Sequence, residues 1–324
     1  MKSQNKVEVK TKKINVVSLY DGYGSAQLAL KDAKITVGKY YAAEIDSKAI
    51  EITQHNFPKT IQLGDVAKIK GKELKNIYLL CAGSPSQDLI RTNKKDGVKH
   101  DKNSLFFQVV RLLKEIKPKY FFIENVLPRN RDDVRLMNKA LGVEGVIIDS
   151  NLVSAQNRER IYWSNIPTKG LPKNRFVTIS NILDPVVKPE NLYTHPTIAK
   201  TKTLCKNYYQ WDQNGKKNHS QFSRAYFPNG KCGTITRSVT KIKVVHDMKK
   251  NLVRILTPNE VEKLQMVPKN YTKIPNITDN QRIGVLGDGW TIGVVSWFFK
   301  QLPVVKPIAK KEPIKKVVAK KTKR

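Results

Sequence analysis

Three short stretches of this sequence hold the residue types best suited to chemistry. Ala82-Gly83-Ser84-Pro85-Ser86-Gln87-Asp88 is a loop directly after a short apolar run of strand character. Phe121-Phe122-Ile123-Glu124-Asn125-Val126 places an acid and an amide at the carboxyl end of a second such run. A carboxyl group held there can give or take a proton. Gln156-Asn157-Arg158-Glu159-Arg160-Ile161-Tyr162-Trp163 adds two arginines on alternate positions, a source of fixed positive charge. Taken singly, each has a plainer reading: Glu124 as a capping or salt-bridging acid, Arg158 and Arg160 as the solvated face of a basic strand.

A second set lies nearer the N-terminus. The first strand-like run leads through Tyr20 into Asp21-Gly22-Tyr23-Gly24-Ser25, a glycine turn that opens a helix. Glycine lets the backbone turn tightly and approach a ligand, and a helix N-terminus favours electronegative groups. The next run ends in Glu44-Ile45-Asp46, where an acid can accept both hydroxyls of a ribose. Gly64-Asp65-Val66 repeats the pattern after the following short strand. Glu44 alone reads as a surface acid; the three features in series point to an adenosine-type cofactor.

The elements that must position these residues alternate. Strands are predicted over Ile14–Leu19, Val37–Ala43, Ile77–Cys81 and Tyr120–Ile123, and helices over Ser25–Ala33, Lys48–Asn56 and Leu105–Ile116. That alternation implies an α/β fold: a doubly wound, mostly parallel, Rossmann-like sheet with helices on both faces. Residues 1–13 read as a basic arm and 14–165 as the cofactor-binding and catalytic domain. Residues 166–250, rich in Pro, Asn, Lys and Tyr with short β-like pieces such as Cys232–Thr236, read as a smaller irregular domain. Residues 251–303, with helices over Asn259–Met266 and Ile292–Leu302, read as a return segment that completes the catalytic domain. Residues 304–324 form a lysine-rich tail expected to be disordered. Lys+Arg number 60 against 27 Asp+Glu, a net charge of +33 that favours a polyanionic partner. The cysteines at 81, 205 and 232 form no C-x-x-C pair, and the five histidines show no ligand spacing. No metal site or disulfide framework is expected, and a reducing cytosol fits. No apolar run is long enough for a signal peptide or membrane span.

In this order the stretches resemble the cytosine-5 DNA methyltransferase family, over about Ile14 to Leu302. Thr234-Ile235-Thr236-Arg237-Ser238 is similar to the end of the family's target-recognition region. Leu256-Thr257-Pro258 with Glu260 is similar to the helix that ties the two domains together. Gln281-Arg282 through Trp290-Thr291 resembles the last motif, which folds back beside the cofactor. Gly83-Ser84-Pro85, Thr236-Arg237-Ser238 and Gly287-x-x-Trp290 look closest to the de novo branch. The resemblance implies methyl transfer from S-adenosylmethionine to carbon 5 of a cytosine flipped out of duplex DNA, as in prokaryotic or phage restriction-modification systems acting in the cytosol. It makes position 86, Glu124, Arg158 and Arg160 catalytic. It gives the cofactor Tyr20, Asp21, Gly22, Gly24, Glu44, Ile45, Asp65, Val66, Pro85, Trp290 and Thr291. Gln87, Asn125, Gln156, Thr236 and Arg237 would meet the substrate.

One position breaks the pattern. The family adds a cysteine thiolate to carbon 6 of the ring, and residue 86 is serine. A cysteine thiol has a reference pKa of about 8.5 and can be lowered further, whereas a serine hydroxyl is far less acidic and needs an adjacent base. Cys81 precedes the loop in an apolar strand and reads as core. Two other functions share these motifs: a non-catalytic DNA-binding or regulatory protein, and an RNA methyltransferase of the tRNA-modifying branch.

Overall fold

The computed structural model describes residues 13–85, 104–194, 204–205, 208–210, 224–238, 241–250 and 252–303. The first half lays down β1 (Ile14–Leu19), α1 (Ser25–Asp32), β2 (Val37–Ala43), α2 (Ser47–Asn56), β3 (Ile61–Gln62) and β4 (Ile77–Gly83). It continues with α3 (Leu105–Ile116), β5 (Tyr120–Val126), α4 (Arg131–Leu141), β6 (Val146–Asp149) and β7 (Glu159–Ser164). These strands form one seven-stranded sheet in the order β3-β2-β1-β4-β5-β7-β6. Pairings are parallel from β3 to β5, and β7 runs antiparallel to both β5 and β6. This is the α/β, doubly wound, mostly parallel sheet that the alternation predicts.

Strand periodicity explains the two layers. Successive side chains point to opposite faces, so Val16, Leu79, Cys81 and Phe122 enter one core. Val17, Leu80, Ala82 and Ile123 enter the other. The first core is closed by α1 together with α5 (Pro258–Leu264), α6 (Asp279–Asp288) and α7 (Ile292–Phe299). The second is closed by α3 and α4. Cys81 is fully buried, and desolvation pushes its thiol well above the usual range. It packs as core, as its apolar neighbours suggest.

The small domain is more regular than its sequence texture predicts. β8 (Leu192–Thr194), β9 (Leu204–Cys205), β10 (Tyr208–Gln210), β11 (Arg224–Tyr226), β12 (Lys243–Asp247) and β13 (Leu252–Ile255) form a six-stranded sheet, ordered β8-β13-β12-β11-β10-β9. β13 pairs with β12 and β8, so this sheet takes in residues 252–255, beyond the expected boundary at 250. The Cys232–Thr236 piece is not a strand; only Cys232 makes an isolated bridge, to Gln156. The turn into α5 is a capping box in which Thr257 and Glu260 satisfy each other's backbone N–H groups. Glu260 is buried against Arg254 of β13 and accepts the N–H of Asp184 at 2.7 Å. The helix after Leu256-Thr257-Pro258 therefore ties the small sheet to the main body.

Candidate active site

The carboxyl ends of β1, β2, β4 and β5 converge, as register alone requires: Leu19 lies opposite Ala43 and Ala82, and Gly83 opposite Glu124. Two clusters sit along this edge. The first is built on the turn after β1. Tyr20, Gly22 and Gly24 all have positive φ (56°, 60° and 81°), and a Cβ added at Gly22 would meet nothing within 4 Å. The backbone there is open to a ligand. No side chain caps α1 at Gly24, so its first amides face the same opening. Glu44 accepts the Gly22 N–H on Oε2 and the Ile45 and Asp46 N–H groups on Oε1, each at 2.8 Å. Its carboxylate is thereby fixed at the rim, with lone pairs left for a diol. Ile45 beside it is 78% exposed, a bare apolar surface.

Asp21 is the odd member. It is buried, takes the Tyr40 hydroxyl on Oδ1 at 2.5 Å, and its Oδ2 has no hydrogen-bond partner among the described residues. Burial pushes this carboxyl up to about 7, against the pull of the Tyr40 bond. An orphaned buried acid, an uncapped helix start, an open glycine and an exposed apolar side chain together fit a nucleoside with a polar, charged tail. Asp65 caps the turn at Val66–Lys68, and Val66 is buried, its carbonyl taking a bond from Arg111.

The second cluster is at the ends of β4 and β5. Glu124 is buried between two donors: Arg160 Nε lies 3.1 Å from Oε1, and the Trp290 indole N–H donates to Oε2 at 3.0 Å. Trp290 lies against the β4 backbone, where a Cβ on Gly83 would come within 2.6 Å of the indole nitrogen. Asn125 donates to Ser84 Oγ at 2.8 Å and accepts the Val126 N–H, bracing the strand ends. Pro85 is half-buried at the last described position before the loop. Ser86 and Gln87 lie outside the described residues.

The arrangement corrects several expected roles. Arg158 does not point at the pocket. It is buried, and its guanidinium donates to the carbonyls of Ile235 (2.7 Å), Gly289 (2.8 Å) and Gly287 (3.1 Å). Desolvation, reinforced by Arg160, brings its pKa down to about 10, still charged at neutral pH. Gln156, expected at the substrate, is fully buried and donates to Leu264 and Gln265. The Thr291 hydroxyl is committed to Gln265 at 2.8 Å. These side chains fasten residues 264–291 and Ile235 to the segment that leads into β7. Gln265, which also donates to the Leu286 and Gly289 carbonyls, is the centre of this network. No sequence signal marks it apart from its place after α5. Thr236 pairs with Ser238, and Arg237 reaches Asp46 and Asp288 across the rim of the first cluster. Trp290, expected at the cofactor, also braces Glu124.

Among the described residues no group of His, Cys, Asp and Glu could hold a metal, and no helix is long and apolar enough to cross a membrane. The family model described as "C-5 cytosine-specific DNA methylase" matches residues 14–302. The type II methyltransferase M1.ScrFI of Lactococcus lactis subsp. cremoris is 27% identical over 310 residues, 88% of this chain and 77% of its own. Among solved structures, the Entamoeba histolytica methyltransferase EhMeth superposes with a TM-score of 0.67 at 20% identity, over 88% of this chain and 96% of its own. The S. pombe Dnmt2 methyltransferase superposes at 0.63 and 18%, over 88% and 96%. At such identities the two structures speak to the fold.

Proposed function

The chain belongs to the C-5 cytosine-specific DNA methylase family, and from that membership we propose that it methylates carbon 5 of a cytosine flipped out of duplex DNA. The observation that carries this reading is Glu124, buried and held from both sides by Arg160 and Trp290 beside the strand end that leads into residue 86. S-adenosylmethionine, the family's donor, supplies an electrophilic methyl group when bound. Glu44, Asp65 and the Tyr20–Gly24 turn would hold its adenosine, with Asp21 beneath and Ile45 against the base.

The chain's own residues do the rest. Carbon 5 of cytosine is a weak nucleophile until residue 86 adds to carbon 6 and pushes electron density round the ring. Glu124 contacts N3 and the exocyclic amine of the flipped base and protonates the ring as that bond forms. Arg160 and Trp290 keep the carboxyl group aimed, which fixes the base without a search through rotamers. After transfer, a base removes the proton from carbon 5, and residue 86 leaves as the double bond returns. Ser86 carries out the addition poorly, so the sequence as it stands turns over slowly, and Ser86→Cys restores the reaction. The extent of the small six-stranded sheet favours duplex DNA over tRNA.

The test is positional. Ser86→Cys is incubated with labelled S-adenosylmethionine and duplex DNA, and the nucleosides are separated by mass spectrometry. Label in 5-methylcytosine supports the reading; label on the exocyclic nitrogen, or preferential labelling of tRNA, contradicts it.

A further inference from the structure

The end of the main sheet opposite the site carries an unusual concentration of charge. β1, β2, β4 and β5 all begin there, and α1, α3 and α7 all end there. Lys13, Lys31, Lys34, Lys75, Lys117 and Lys119 are exposed on this end. Its acids are occupied: Asp32 by Lys300, Glu115 by Arg111, Glu73 by Lys70, and Glu144 by the Asn138 amide. Lys119 also lies over the Tyr78 and Tyr120 rings, 5.5 and 5.8 Å from their centroids.

Both chain ends join the body at this same place. Asn15 pairs with Ile77, and the Tyr78 hydroxyl donates to the Pro303 carbonyl at 2.6 Å. Residues 1–13 hold five lysines against one glutamate, and residues 304–324 nine basic residues against one glutamate, together twelve of the net +33. These two segments, about a tenth of the length, carry about a third of the net charge. The six exposed cations named on this face are lysines, while Arg111 there is engaged by Glu115, and of the fourteen basic residues in the two flanking segments only Arg324 is not a lysine. Lysine is a compact, strongly hydrated point charge that meets phosphate without the planar fork arginine uses to read a base edge.

We propose that this face is a second, sequence-independent binding surface for duplex DNA, so that one protein holds two duplexes at once. The first duplex lies at the carboxyl ends of the strands, which rests on the function proposed above. Ser84 and Tyr78 mark the two ends of β4, about 20 Å apart at the rise of a strand. The body of the protein separates them, and one straight duplex cannot reach both. Phosphate neutralisation by the lysine face releases counterions and makes the second contact steeply salt-dependent.

The test uses the full chain with two probes. A bead-bound duplex carries 2-aminopurine beside a target cytosine, and a free fluorescent duplex of A·T pairs contains no cytosine. The full chain should retain the fluorescent duplex on the beads, with one protein per pair of duplexes. The charge reversal K31E/K34E/K75E/K117E should cut that retention at least tenfold while the 2-aminopurine signal of base flipping stays unchanged. Equal retention by the variant would overturn the proposal. So would a requirement for two proteins per pair, or displacement of the fluorescent duplex by single-stranded RNA at lower concentration than by DNA. Loss of the flipping signal in the unaltered chain would instead count against the function proposed above.

Discussion

At the scale of single residues, the site combines one buried acid held by two donors with another that lacks a partner. Glu124 has both oxygens engaged, whereas Asp21 has a bare Oδ2 and a pKa raised to about 7 by burial. The sign of the consequence follows from proton counting. In the unfolded chain Asp21 ionises near the ordinary aspartate value of 3.8, while burial in the folded protein keeps it protonated up to about 7. The folded state therefore binds more protons across that window, and stability falls as pH rises from 4 to 7. The full span is on the order of 4 kcal/mol. Asp21→Asn keeps the acceptor for Tyr40 and removes the titration. Denaturant melts of the variant should be flatter between pH 4 and 7 than those of the parent; parallel profiles would show that Asp21 does not titrate there. Gly83 gives a second prediction. Its Cβ would strike the Trp290 indole, so Gly83→Ala should push the indole off Glu124. In the Ser86→Cys background, kcat should fall about tenfold or more with the fold intact, since small misplacements of catalytic groups are costly. An unchanged kcat would mean that the Trp290–Glu124 bond does not position the acid.

At the scale of elements, the return segment is fixed by side chains of β7 and the turn before it. Arg158 closes onto three carbonyls contributed by the end of the small domain and by the close of α6. Arg158→Met would leave the Ile235 and Gly287 carbonyls without the Arg158 donor, Gly289 keeping only Gln265, and should lower stability by about 2–5 kcal/mol. A thermal melt within a degree of the parent would contradict this. The same element shows what the sequence could and could not convey. β2 and α3 fall on their predicted residues, α3 because its apolar residues recur at helical spacing and β2 because its run from Tyr40 to Ala43 has strand character. Glu124 and the Tyr20–Gly24 turn were legible because their places follow strands that pair in parallel. Arg158 and Gln156, expected at the site from the resemblance, lie just before β7 and turn inward instead, because only the fold brings Ile235, Leu264, Gly287 and Gly289 to meet them. The second sheet was missed for a related reason. Its strands run from two to five residues, too short for a period to register, and β13 pairs with β8 across a long stretch of chain.

At the scale of the whole molecule, a basic protein carries the Glu44 and Glu124 clusters on one edge of a sheet and exposed lysines where the strands begin on the other. Removing residues 306–324 takes away nine basic residues. DNA affinity should weaken by a similar factor for all sequences, and its salt dependence should flatten; an unchanged salt slope would show that the tail does not touch phosphate. The central claim is that this scaffold is a cytosine-5 methyltransferase limited at residue 86. It is tested most directly by single-turnover methyl transfer to duplex DNA, comparing the sequence as it stands, Ser86→Cys, and Ser86→Cys with Glu124→Gln. The account predicts little or no transfer with Ser86 and clear transfer with Ser86→Cys. It also predicts a loss of about 10²–10⁴-fold when Glu124 is replaced in that background. Equal rates for Ser86 and Ser86→Cys, or full activity without Glu124, would contradict it.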